Sequence, residues 1–229
     1  MNKKHLINTF LIIFGIISGL IIAEFSVRLI LPQNRMVTWL EMHPEGFMMN
    51  QSGGNSFQEL SELTAYYRFT KTRLRSEQIV KDKTKILAIG DSFTFGLLLN
   101  EEDTYVQHIQ NKLDAENDSV QLLNGGVGGA GLADWPAWLE NFGGDVSPDI
   151  ILYFIHVKDL DRALSKNIYV AKGDSLIKTQ RWKPRQFMFD IGQLTWYRWL
   201  QANSDLANLV VKVLWKHVYY QDLTNNFRG

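Results

Sequence analysis

The residues most able to do chemistry cluster in three short stretches. Gly90-Asp91-Ser92 follows the apolar run Ile86-Leu87-Ala88-Ile89 and precedes Phe93-Thr94-Phe95-Gly96. A serine at a strand-to-helix turn has the placement of an exposed nucleophile. The G-x-S-x-G elbow is not met, because Thr94 stands where its second glycine would be. The second stretch, Asn124-Gly125-Gly126-Val127-Gly128-Gly129, permits tight backbone conformations and leaves N–H groups free to face a ligand. One such N–H, from Gly125 or Gly126, paired with the N–H of Ser92, would make an oxyanion hole for an acyl-transfer intermediate. The third stretch is His156-Val157-Lys158-Asp159. Plainer readings exist for the first two: a helix N-cap for Ser92, a turn or a dinucleotide loop for the glycines. The dinucleotide loop is disfavoured, since the glycines follow the second strand and no acidic residue ends a later strand in the required place. No His, Asp or Glu group has metal-ligand spacing, so neither a metal nor another cofactor is expected.

The elements that must position these residues follow from periodicity. The short, continuous apolar run at 86–89 has the pattern of a parallel strand covered on both faces, 120–123 reads as a second strand and the apolar stretch 150–155 as a third. Between them, a helix capped by Asp103 carries Val106, Ile109 and Leu113 at spacings of three and four. A second helix carries Leu132, Trp135, Leu139 and Phe142, with Pro136 tolerated near its start. Alternating strand and helix predicts an α/β sheet with right-handed crossovers and the 86–89 strand in the middle. Ligands of such sheets bind beyond the carboxyl ends of the strands, where all three chemical stretches lie. Residues 32–80 read as a connector and lead-in, with a flexible patch at 51–56 and extended, partly buried segments at 66–70 and 72–75. Downstream, Ile168–Ala171 and Leu176-Ile177 predict a hairpin about Gly173-Asp174. Helical patterns follow at 191–201 and 204–219, the second extended by His217. Trp135, Trp138, Trp196 and Trp199 suit packing on amphipathic helices, and Glu101-Glu102-Asp103 suits the positive start of a helix.

The chain has 229 residues, 45% of them hydrophobic, with 24 basic and 24 acidic side chains, enough for one sizeable core. Zero net charge argues against nucleic acid, which draws an excess of Lys and Arg. The absence of cysteine excludes disulfide scaffolds, thiolate metal sites and Cys nucleophiles. Leu6 to Ala23 carries no charge, and the apolar character resumes at Leu29-Ile30-Leu31 beyond Glu24 and Arg28. Such a helix is long enough to cross a hydrocarbon core of roughly 30 Å. No clean A-x-A-like cleavage site lies between Gly19 and Glu24, so residues 1–31 are expected to be a signal anchor rather than a removed signal peptide. Lys3 and Lys4 favour a cytoplasmic N-terminus, which places the remainder outside the cytoplasm, on a single-pass anchor in the cell membrane.

Gly90 to Gly96, Glu101-Glu102-Asp103-Thr104-Tyr105, Leu123 to Gly129 and Pro148-Asp149-Ile150-Ile151 together resemble the SGNH (GDSL-type) hydrolase family, and within it the membrane-anchored bacterial branch. The resemblance spans residues 66–165. It implies a three-layer α/β/α, flavodoxin-like fold with a parallel sheet over residues 81–229, preceded by one N-terminal transmembrane helix. It further implies a serine esterase or carbohydrate O-acyltransferase that acts on ester bonds of acylated carbohydrate or lipid. On that resemblance Ser92 is the nucleophile and an oxyanion donor, and Gly126 is a second donor. A third donor falls at Lys158, where the family's Gly-x-Asn-Asp signature has Asn. Asp91, Asn124 and Asp159 would support these groups.

Two departures bear on activity. Lys158 is a longer and more flexible donor than an amide. The late Asp-x-x-His motif that supplies the family's base is absent: three residues before His5, His43, His108, His156 and His217 stand Asn2, Leu40, Tyr105, Tyr153 and Leu214. The chain is therefore expected to be the N-terminal portion of such an enzyme, its domain C-terminally truncated. The alternative is a catalytically inactive SGNH-like binding or accessory domain of an envelope polysaccharide pathway. By itself the chain should turn over p-nitrophenyl acetate poorly, because Ser92 lacks a base. His156, at the end of the third strand, is the histidine placed to approach Ser92, with Asp159 or Asp91 to fix its tautomer.

Overall fold

The computed structural model describes residues 3–116, 119–166, 168–179 and 186–214. The chain forms two compact units, Met1–Met36 with Trp196–Gly229, and Val37–Thr195. The first begins with α1 (Lys3–Ile30), which is apolar all round and has no buried residue. It is long and apolar enough to cross a membrane, a property that a signal sequence shares.

The second unit opens with two antiparallel pairs, β1 (Leu40–Met42) with β2 (Met48–Asn50), and β3 (Gly54–Leu60) with β4 (Leu63–Phe69). The patch expected to be flexible at 51–56 instead enters β3, and buried Ser56 donates its hydroxyl to Val37 O. Its polar residues are held by the ladder and by side-chain hydrogen bonds, which composition does not reveal. Then come β5 (Thr84–Gly90), α2 (Ser92–Phe95), a 3₁₀ turn at Glu101–Asp103, α3 (Tyr105–Glu116) and β6 (Val120–Asn124). They are followed by α4 (Asp134–Val146), β7 (Ile150–Phe154), α5 (Val157–Lys166), the hairpin β8 (Tyr169–Lys172) and β9 (Ser175–Lys178), and α6 (Gln186–Gln193). The hairpin turns at Gly173-Asp174, as its residues predict. The cap of α3 falls on Thr104 rather than Asp103: Thr104 Oγ1 accepts the Gln107 N–H at 3.2 Å, while Asp103 belongs to the 3₁₀ turn.

β6, β5 and β7 form a parallel sheet in that order, with Ile86 opposite Leu122 on one side and Ile150 on the other. Side chains alternate across β5. Leu87 and Ile89 pack with Trp135 and Trp138 of α4, whereas Ala88 packs with Val106 of α3, so helices cover both faces of the central strand. Phe47, Met49 and Leu74 join the first of these clusters, which ties residues upstream of the sheet into its core. Trp39, Tyr67 and Phe69 enclose Phe95 of α2, with the Trp39 and Phe95 rings stacked 5.4 Å apart. β7 is an edge strand, exposed or half-exposed along its whole length. α7 (Thr195–Asn203) and α8 (residues 205–214) follow; the helix expected at 191–201 is divided at Leu194 between α6 and α7, and of the helix expected at 204–219 residues 205–214 are helical while 215–219, with His217, lie outside the described residues.

Candidate functional site

The end of β5 is turned into α2 by its own side chains. Asp91 Oδ1 accepts the Phe93 N–H at 2.9 Å, an N-cap that starts the helix at Ser92. Gly96 ends it one turn later with φ 76°, a left-handed conformation that suits glycine. Ser92 is half-buried, and its hydroxyl makes no hydrogen bond to a described residue. Its N–H, at the first helical position, has no acceptor within the helix. Arg75 closes the other end. Its guanidinium donates to Phe95 O, to Gly96 O at 2.7 Å and to Leu99 O at 2.5 Å, and lies over the rings of Tyr67 and Phe95. Burial pulls this guanidinium down to about 10, which leaves it charged at neutral pH beside the carbonyls that end α2.

The glycine stretch is fastened to the same helix. Asn124 Nδ2 donates to Thr94 O at 2.9 Å, and Val127 N–H donates to Gly90 O at 3.0 Å. A Cβ on Gly126 would lie 2.6 Å from Thr94 C and 2.7 Å from Phe95 Cα, so only glycine lets the turn approach this closely. The close approach has a chemical consequence. The Gly126 N–H donates to Asn124 Oδ1 at 2.9 Å in an Asx turn, and the Gly125 N–H donates to Ala88 O at 2.8 Å. Neither N–H expected for an oxyanion hole is free in this arrangement. Asn50, from β2, adds a hydrogen bond to Gly126 O at 3.0 Å.

The third stretch is built as a helix start. His156 Nδ1 accepts the Lys158 N–H at 3.3 Å, and Asp159 Oδ2 accepts the His156 N–H at 2.8 Å. This is a capping box with histidine in the place of Ser or Thr. With Nδ1 accepting, the neutral imidazole carries its proton on Nε2, so His156 offers a donor rather than a base. Lys158 is exposed, and its ammonium makes no hydrogen bond or ion pair to a described residue; its backbone N–H donates to His156 Nδ1.

Arg162, unremarked in the sequence, joins the three strand ends. Its Nη1 donates to Asp91 Oδ2 at 2.9 Å, to Asp159 Oδ1 at 2.9 Å and to Ala130 O at 3.2 Å. Both carboxylates are almost fully buried, at 2% and 0% exposure. The i,i+3 spacing of Asp159 and Arg162 is a signal that was available locally. Asp91, His156 and Asp159 also bring ligand atoms within 4.8 Å of one another, a donor group that sequence spacing does not show. A divalent cation there would have to displace the guanidinium from both carboxylates and the imidazole from its cap, so these residues fit a clamped turn better than a metal centre. Beneath them, burial together with Asp159 and Asp134 raises the Tyr153 phenol well above its ordinary range, and its hydroxyl has no partner among the described residues.

No protein-family model and no curated protein matches the chain. Solved structures with some likeness include AlinE4, an SGNH-hydrolase family esterase, and a single-site mutant of it. Each is 24% identical with a TM-score of 0.30, covering 39% of this chain and 48% of the esterase chain. The chain thus matches about half the length of that esterase, and a likeness at this score carries no argument about activity.

Proposed function

We propose that the chain is the N-terminal portion of a membrane-anchored, SGNH-type (GDSL) serine esterase or carbohydrate O-acyltransferase of the cell envelope. In this reading residues 1–31 anchor it, residues 32–80 lead in, and residues 81–229 belong to a three-layer α/β/α hydrolase domain outside the cytoplasm. One observation carries the reading: Ser92 heads α2 at the carboxyl end of the central parallel strand, its hydroxyl has no hydrogen-bond partner among the described residues, and the Asn124–Gly126 turn is bonded to the same helix at Thr94. Ser92 Oγ would attack the acyl carbon of an ester, the bond to the leaving alcohol would break, and the acyl group would pass to water or to a sugar hydroxyl. The Ser92 N–H is the first oxyanion donor. Gly126 N–H joins it when its hydrogen bond to Asn124 Oδ1 is shared or given up, and Lys158 stands third as an exposed ammonium.

The Oγ proton needs a base. Asp91 and Asp159 are bonded to Arg162, and His156 presents a protonated Nε2, so the base in this reading is an Asp-x-x-His segment from outside these residues. The same observation favours a second reading, an inactive SGNH-like accessory domain, because Asp91, His156 and Asp159 each have a structural task. The two are separated by expressing the chain with the sequence that follows it in its own gene. Hydrolysis of p-nitrophenyl acetate that disappears in Ser92→Ala supports the enzyme. A longer chain without an Asp-x-x-His segment, or one that folds and shows no such turnover, supports the accessory domain.

A further inference from the structure

We propose that α7 and α8 form a membrane-docking surface that rests on the lipid interface beside the C-terminal end of α1. The proposal depends on α1 spanning the bilayer and adds a second membrane contact to it. The charge-free stretch Leu6 to Ala23 extends about 27 Å at about 1.5 Å per residue, close to the thickness of a hydrocarbon core. Glu24 therefore stands at the edge of the hydrocarbon, where a bare carboxylate would be poorly solvated.

It is not bare. Glu24 accepts the Ser204 hydroxyl at 2.7 Å and the N–H groups of Asp205 and Leu206 at 2.9 and 3.0 Å, so it caps the start of α8. One turn further along α1, Arg28 pairs with Glu24 at 2.8 Å and donates to Asn203 O, the end of α7, at 2.8 Å. Gln33 N–H reaches Asp205 Oδ2 at 3.3 Å, and Arg35 reaches Ala202 O at 3.3 Å. Residues 202–206 are thereby held at the depth where hydrocarbon gives way to headgroups.

The two helices that leave this junction expose apolar side chains. Trp196 and Trp199 of α7 are 59% and 62% exposed, and Val210, Val213 and Leu214 of α8 are 48%, 60% and 58% exposed. Lys212 lies on the other side of α8, and Asn208 is bonded back to Gln201 O and Ser204 O. An apolar helix face with indoles next to a membrane-spanning helix matches the preference of Trp for the interface and of amphipathic helices for its plane. The occupant is lipid, because both helices are bonded to the end of a helix long and apolar enough to cross a membrane.

The chain has no cysteine, so single-cysteine variants report one position each. The full chain is reconstituted into phosphatidylcholine–phosphatidylglycerol vesicles as Ile13→Cys, Trp199→Cys, Val213→Cys or Lys212→Cys, each carrying an environment-sensitive fluorophore. The expected result is loss of most of the signal at 199 and 213 to a nitroxide placed near the headgroups, with shielding from iodide, while 212 stays open to iodide and 13 is quenched by a deep nitroxide. Quenching at 13 together with iodide access at 199 and 213 equal to that at 212 overturns the docking surface and leaves the anchor standing. Shielding of 199 and 213 from both iodide and lipid points to a protein partner and also overturns it. A label at 13 that no lipid nitroxide reaches removes the anchor, and the proposal with it.

Discussion

Replacing Arg162 by Met tests the clamp that holds the strand ends together. The substitution keeps the aliphatic stem and removes a guanidinium within 2.9 Å of both Asp91 and Asp159. Each pair would contribute about 4 kcal/mol of attraction at 4 Å and an effective dielectric of about 20. The Arg162 side chain is 28% exposed, which screens part of this. Asp91 keeps the Phe93 N–H and Asp159 keeps the His156 N–H, which offsets part of the remainder. Breaking a buried pair costs about 3–5 kcal/mol, and those offsets put Arg162→Met near the lower end, about 3 kcal/mol. Urea unfolding followed by tryptophan fluorescence at neutral pH measures it. A loss below about 1 kcal/mol would refute the clamp.

Gly126→Ala should destabilise the fold by about 1–3 kcal/mol, because the new methyl meets the backbone of Thr94 and Phe95; calorimetry checks it. Asn124→Ala leaves Thr94 O and the Gly126 N–H without their partner, and should cost about 1–3 kcal/mol in the same assay. His43, stacked 4.4 Å from Phe47, is held below its ordinary value by burial and then by Arg73 and Lys178, against the pull of Glu45. The unfolded chain therefore binds its proton more readily, so unfolding free energy should fall as pH drops below about 6.5, and His43→Phe should flatten that fall.

The central strand was readable because a parallel strand covered on both faces leaves a continuous apolar run, as β5 does, whereas β7 is apolar yet exposed at the sheet edge; β5 lies between β6 and β7, as alternation of strand and helix with right-handed crossovers predicts. The contact between the Gly126 turn and the Ser92 helix followed from that order. What stayed hidden depended on partners distant in the chain. Arg162 reaches Asp91 across 71 positions, and Arg75 reaches Phe95 O across 20, with no local pattern to announce either bond. His156 as a helix cap was hidden for another reason: its Nδ1 replaces the hydroxyl that signals a capping box. Gly126 shows the same limit on a smaller scale. Its spacing marked a free N–H, whereas Asn124, two residues earlier, takes that N–H for itself.

We propose Ser92 as a nucleophile that no base among its described neighbours is free to activate. Covalent labelling of the 229-residue chain by a fluorophosphonate, read as the mass adduct on Ser92 against pH, tests this most directly. The expected course is slow labelling at pH 7 that rises with pH as hydroxide removes the proton, and that is unchanged in His156→Ala. Rapid labelling at pH 7 that vanishes in His156→Ala would contradict the claim and make His156 the base.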